Sequence, residues 1–197
     1  MKEKALNMAK KSIAIESEAI SDILNYLDIN QFTKAVEILI SSPNIITCGS
    51  GSTGIAAKKF AHSLRCIEQT ASFLIPSEAI HGGLGLINKN DAVIIVSKGG
   101  KTAELLPVIK VSKEKNARII AITENLESPL AEAAEVIVPL SIKRESDKFN
   151  VMATSSFVVI VAIFDAMLVA IMEETDYKLE QFATIHPGGA VGEELNS

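Results

Sequence analysis

The stretch AVIIVSKGGKTAELLPVIK, residues 92–110, decides the fold. Its first five residues are a continuous apolar run, short enough for a strand buried on both faces. A loop of Ser, Gly, Lys and Thr follows, and then a segment of helical character. A strand that runs through a small-residue loop into a helix is half of a βαβ unit, whose next strand lies parallel to the first.

The same grammar repeats outward from there. NIITCGSGSTG at 44–54 is a strand running into glycines, followed by the helical AAKKFAHSLRCI. TASFLIP, ARIIAIT and AEVIVPL are three more strands, with helices expected at 102–115 and around 128–134. Two helices open the chain. Residues 4–29 place Ile13, Ile20, Leu24 and Leu27 on one stripe, and a second helix over 31–41 stops before Pro43. These helices, within residues 1–42, pack either on the domain or on a partner subunit. The pattern specifies an α/β fold with a five-stranded parallel sheet covered on both faces. No repeat or linker divides the chain, so a single domain over 1–197 is expected.

Composition agrees. Of 197 residues, 48% are hydrophobic but only 5% aromatic, so Val, Ile, Leu and Ala fill the interior. The net charge of −5 comes with no basic block, which argues against a nucleic-acid partner. Two cysteines make no disulfide framework, and the N-terminus has no apolar signal core; a cytoplasmic setting is expected. Residues 151–172 are long enough to span a bilayer, but Asp165 and the hydroxyls at 154–156 interrupt them. They read as a buried helix, and no membrane partner is expected.

Ligands of such sheets sit beyond the carboxyl ends of the strands. Two loops there are rich in small and hydroxyl residues: GSGSTG at 49–54 and SKGGKT at 97–102. The second ends like a P-loop, but the first glycine of that motif would fall on Ile95, inside the strand. The first matches the dinucleotide pattern GxGxxG, but the only acid near the end of the next strand, Glu78, lies beyond Pro76. A single phosphate asks less. Ser50, Ser52, Thr53, Ser97 and Thr102 supply hydroxyls, Gly99 and Gly100 open the backbone, and Lys98 or Lys101 supplies charge. The plainer alternative is that Thr53 and Thr102 only cap helices.

Four patches carry a family resemblance: GSGSTG at 49–54, PSEAIHGGLG at 76–85, SKGGKTAEL at 97–105, and ATSS at 153–156 with DA at 165–166 and IHPGGAVG at 185–192. The chain resembles the sugar isomerase (SIS) domain, and more narrowly the arabinose 5-phosphate isomerase family. The resemblance implies a three-layer α/β/α sandwich with flavodoxin-like winding, and interconversion of an aldose phosphate with a ketose phosphate. It implies a cofactor-free reaction in a homotetramer whose sites are shared between subunits. Carried over residue by residue, it makes Glu145 the base, adds Glu104, His81 and His186 to the active site, and makes 97–102 the phosphate cradle.

Enediol chemistry suits these types. A carboxylate with a lifted pKa can move the carbon-bound proton, and a histidine can shuttle protons between oxygens. Taken without the resemblance, IKRESDKFN reads as a solvated loop, Glu104 as a helix-dipole charge, and each histidine as a loop residue. His62, within a helix, is structural. Cys48 beside the glycines has no base placed for it, and no metal-ligand spacing occurs.

The sequence departs from the family in three places. Ser52 stands where a lysine is usual, SKGG replaces SxSGE, and Gly83 replaces an acid. The positive charge is therefore expected from Lys98 and Lys101. The paired CBS modules of many relatives are not expected here, nor is regulation through them. The leading substrate pair is arabinose 5-phosphate and ribulose 5-phosphate. Two rivals stay open: a sugar-phosphate sensor without turnover, and a dinucleotide enzyme.

Overall fold

The computed structural model describes residues 2–188 and 192. Helices α1 (Glu3–Tyr26) and α2 (Ile29–Ser41) lead into β1 (Ile45–Gly49), α3 (Gly51–Arg65) and β2 (Ala71–Leu74). Then come a single turn, α4 (Pro76–Ala79), β3 (Ala92–Val96), α5 (Leu106–Glu114), β4 (Arg118–Thr123), α6 (Pro129–Ala133) and β5 (Val136–Pro139). A long loop leads to α7 (Ser155–Glu174) and α8 (Leu179–Ile185). All five strands are parallel, in the order β2-β1-β3-β4-β5. This is the expected sandwich.

The strands carry apolar residues at both parities, which is why both faces are covered. Ile45, Ile94, Val96, Ile120 and Val138 face α1, α2, α3 and α7, while Ile46, Cys48, Val93, Ile95 and Ile119 face α4, α5 and α6. On the first face Phe164 of α7 stacks on Phe60 of α3, with ring centroids 4.2 Å apart. α7 is the one helix among the described residues long and apolar enough to cross a membrane. It is used as a core element: Val159, Ile160, Ile163, Phe164, Met167 and Ile171 are buried, and Asp165 pairs with Lys59 on α3.

α1 packs on the domain through its Ala19 face. Ala19 and Ile23 are the residues it buries, against α7, whereas Ile13 and Leu24 are 70% and 86% exposed and Ile20 is exposed as well. The small side chain of Ala19 lets the two helices approach; Ile13, Ile20 and Leu24 of the apolar stripe point outward, while Leu27 is partly buried against the core.

Gly100 shows how tightly the β3 loop is held. Its φ is +64°, and a Cβ there would lie 2.0 Å from Ser128 Oγ, so the turn closes against the start of α6 only with glycine.

Candidate functional site

The strand order reverses between β1 and β3. A flavodoxin-like sheet opens its ligand crevice at that switch point, because the helices following the two strands leave toward opposite faces. Gly49 pairs with Val96, so GSGSTG and SKGGKT leave the sheet from matched positions. They are joined there: Ser50 Oγ donates to Glu104 Oε2 at 2.8 Å. That bond occupies the hydroxyl that would otherwise cap α3, whose first-turn amides have no side-chain cap from Ser50.

Neither threonine does the capping work of the plainer reading. Thr53 Oγ1 donates to the Ser50 carbonyl at 2.8 Å. Thr102 makes no side-chain cap, and its hydroxyl lies 3.0 Å from Ser97 Oγ. Ser97 is buried and accepts from the Gly100 amide at 3.1 Å. The rest of the loop is fixed through its carbonyls. Lys98 O accepts from Thr123 Oγ1 and Glu124 N, Gly99 O from Asn125 Nδ2, and Gly100 O from Leu130 N. The amides of Lys98, Gly99, Lys101 and Thr102 are not engaged in those contacts, an arrangement that suits an anion.

A cleft of about 320 Å³ opens beside the switch point, on the β2 side. Gly49, Ser50, Gly54, Lys58, Phe73 and Glu104 are among the residues that line it. Gly54 is needed for the close contact between α3 and β1, since a Cβ would lie 2.4 Å from Gly49 O. Ser52 and the 97–102 loop are not among the lining residues. Lys58 was not singled out in the sequence. The signal was available: it lies four residues after Gly54, hence on the same face of α3.

Glu145 corrects two expectations. It is not on a solvated loop but only 4% exposed. Its Oε2 accepts from Thr154 N at 3.0 Å, Thr154 Oγ1 at 3.2 Å and Ser156 N at 3.1 Å; its Oε1 accepts from Ser156 Oγ at 2.6 Å and Lys98 Nζ at 3.4 Å. Burial pushes its pKa up, but the Ser156 and Thr154 hydrogen bonds and the Lys98 charge together hold it below the ordinary glutamate value. The expected lift is therefore absent. In this geometry the carboxylate seats the N-terminus of α7. Lys98 Nζ lies between Glu145 and Glu124, the latter at 3.8 Å, and Lys101 is exposed.

The two histidines are not brought together. His81 is exposed in the loop after α4, on the carboxyl side of the sheet, with its amide donating to Glu78 O. His186 ends α8, stacked on Phe182 with ring centroids 3.8 Å apart. α8 is tied to the far end of α3: Gln181 Nε2 donates to Glu68 Oε2 at 2.7 Å, and Tyr177 OH to Cys66 O at 3.0 Å. α3 begins at the cleft and its 15 residues rise about 22 Å. The anchors of α8 thus lie toward the amino ends of the strands, away from the cleft at their carboxyl ends. Residues 189–191 of the IHPGGAVG patch are outside the described residues.

His62 is exposed on α3, with Nε2 3.6 Å from Cys66 Sγ. Cys48 is fully buried, and burial pushes its thiol up to about 12, which leaves no thiolate for nucleophilic work.

Residues 38–170 match the SIS domain family. The chain is 35% identical over 191 residues to arabinose 5-phosphate isomerase KdsD of Pseudomonas aeruginosa, covering 96% of this chain and 58% of that protein. It is 32% identical over 196 residues to arabinose 5-phosphate isomerase GutQ of Salmonella typhimurium, covering 99% and 61%. The chain therefore spans about three fifths of the length of these relatives. Among solved structures, a candidate sugar-phosphate isomerase from Listeria monocytogenes superposes with a TM-score of 0.92 at 40% identity, over 95% of this chain and all of that one. Escherichia coli CFT073 c3406, solved in complex with A5P, gives a TM-score of 0.89 at 27% identity, over 95% of this chain and 100% of that one.

Proposed function

Since the chain belongs to the SIS domain family, we propose that it is a phosphosugar isomerase interconverting an aldose phosphate and a ketose phosphate through an enediol. The observation that carries this reading is the Ser50–Glu104 bond at the switch point. It sets a carboxylate beside a cleft and within one network of two hydroxyl-rich, phosphate-type loops. Arabinose 5-phosphate and ribulose 5-phosphate are the leading pair, in keeping with the KdsD relative and the A5P complex of c3406.

In this reading Ser97, Thr102 and the amides of 98–102 hold the phosphate, with Lys98 and Lys101 adding charge and Ser50, Ser52 and Thr53 facing it from the α3 side. The sugar chain extends along Ser50 into the cleft. Glu104 is the carboxylate that reaches the C1–C2 unit, because it lines the cleft and Glu145 does not. Glu145 fixes α7 and Lys98 from behind. His81 borders the site from the β2 side. His186 serves the cleft of a neighbouring copy, since α8 is anchored toward the amino ends of the strands and its own cleft opens at their carboxyl ends. A cytoplasmic homotetramer accommodates that exchange.

The test is NMR of the protein with ribulose 5-phosphate, then fructose 6-phosphate, in heavy water. The expected result is a new aldose phosphate with deuterium at C2, lost in Glu104→Gln. Binding without product or exchange across the panel would overturn the isomerase in favour of a sensor. Exchange undiminished in Glu104→Gln would remove Glu104 as the base.

A further inference from the structure

The proposed reaction needs a positive charge where negative charge develops, and the cleft contains one. Removal of the C2 proton from an aldose sends its electron pair into a C1–C2 double bond, and the carbonyl pair onto O1. An oxyanion forms at the end of the sugar remote from the phosphate. With the phosphate on the β3 side and Glu104 beside Ser50, that end lies toward β2 and the face of α3.

Lys58 is on that face. Gly54 marks the point where α3 touches β1, and Lys58 lies one turn further, about 6 Å along the axis. It is the only cation among the residues that line the cleft, where the other charged group is Glu104. No ion pair or hydrogen bond engages its ammonium among the described residues. Its neighbours differ. Lys59 is paired with Asp165 on α7, and Lys98 is shared between Glu124 and Glu145. Apolar Ile55 and Phe73 also line the cleft and lower the local polarity, which strengthens a charge interaction once substrate has displaced water. Lys58 is exposed on a flexible four-carbon stem and can swing to meet the group.

Resting on the isomerase reading above, we propose that Lys58 is a catalytic residue: its ammonium hydrogen-bonds the O1 oxyanion of the enediolate formed when Glu104 removes the C2 proton. The proton on O2 passes to O1, Glu104 returns its proton to C1, and the C2 carbonyl forms. Every bond broken is replaced, and no further reactant is needed.

The interaction is strongest in the transition state, so its loss falls on kcat rather than KM. Steady-state kinetics on the aldose and ketose phosphates would compare wild type with Lys58→Gln, Lys58→Arg and Lys59→Gln. The expected result is kcat about 100-fold lower in Lys58→Gln with KM changed less than about threefold, the loss typical of one oxyanion donor. Lys58→Arg recovers part of it. Lys59→Gln, which breaks the pair with Asp165 but does not line the cleft, keeps kcat. A Lys58→Gln enzyme with unchanged kcat, or one whose whole defect lies in KM, would overturn the proposal while leaving the isomerase intact. A wild type that turns over no sugar phosphate would instead overturn the isomerase reading, and this role with it.

Discussion

Replacing Glu145 tests whether this carboxylate is a structural anchor. In Glu145→Ala, the amides of Thr154 and Ser156 and the Ser156 hydroxyl lose their acceptor at a buried helix start. A hydrogen bond to a charged group contributes about 1.5–3 kcal/mol, but water entering the vacated space recovers part of it. The net cost is about 3–4 kcal/mol. For a chain of this size, 1 kcal/mol moves Tm by about 2–4 °C, so the expected fall is about 10 °C. Glu145→Gln is milder. Its amide oxygen can keep the three bonds now made to Oε2, while its NH₂ replaces the acceptor facing Ser156 Oγ and Lys98. The Ser156 hydroxyl can rotate to accept, leaving mainly the lost charge, about 1–2 kcal/mol or roughly 4 °C. The assay is thermal melting followed by far-ultraviolet circular dichroism. A cycle with Ser156→Ala should give a coupling energy of about 1 kcal/mol or more. A fall under about 3 °C in Glu145→Ala, with no coupling, would refute the anchor.

Four further outcomes follow from the same structure. The Glu145 pKa is depressed in the fold, so its stabilisation is complete above the unfolded value near ~4.3 and is lost as pH falls through the lower folded value; the acid limb of a Tm–pH curve should flatten in Glu145→Gln. Gly100→Ala should cost about 3 kcal/mol in urea unfolding, from a positive φ and the contact with Ser128 together. A thiol reagent should label Cys66 in the native protein and Cys48 only after unfolding, as burial and a thiol raised to about 12 require. Ile23→Ala should cost about 2–3 kcal/mol, and Leu24→Ala less than about 0.5 at low protein concentration; a Leu24 penalty that grows with concentration would place the outer face of α1 against another chain.

The linear chain by itself determined the sheet and its layers. Strands such as AVIIV carry apolar residues at both parities, and the loop–helix after each strand leaves only parallel crossovers. It also singled out both loops of the switch point, because Gly, Ser and Thr at a strand end have few other uses. Tertiary structure decided what each charged residue does. Glu145 sits among charged neighbours in sequence, yet it is buried because α7 begins ten residues later and brings Thr154 and Ser156 amides to it. Lys98 lies in the phosphate-type loop, but its charge is shared with Glu124 and Glu145. Lys58 looks like one more polar residue of α3 and faces the cleft only because β2 passes beside it. The α1 stripe has the periodicity of a buried face, but α7 takes the Ala19 face instead. Hydrophobic period is local and survives in sequence. The field at a side chain is a sum over groups far apart in the chain, and only folding brings them near.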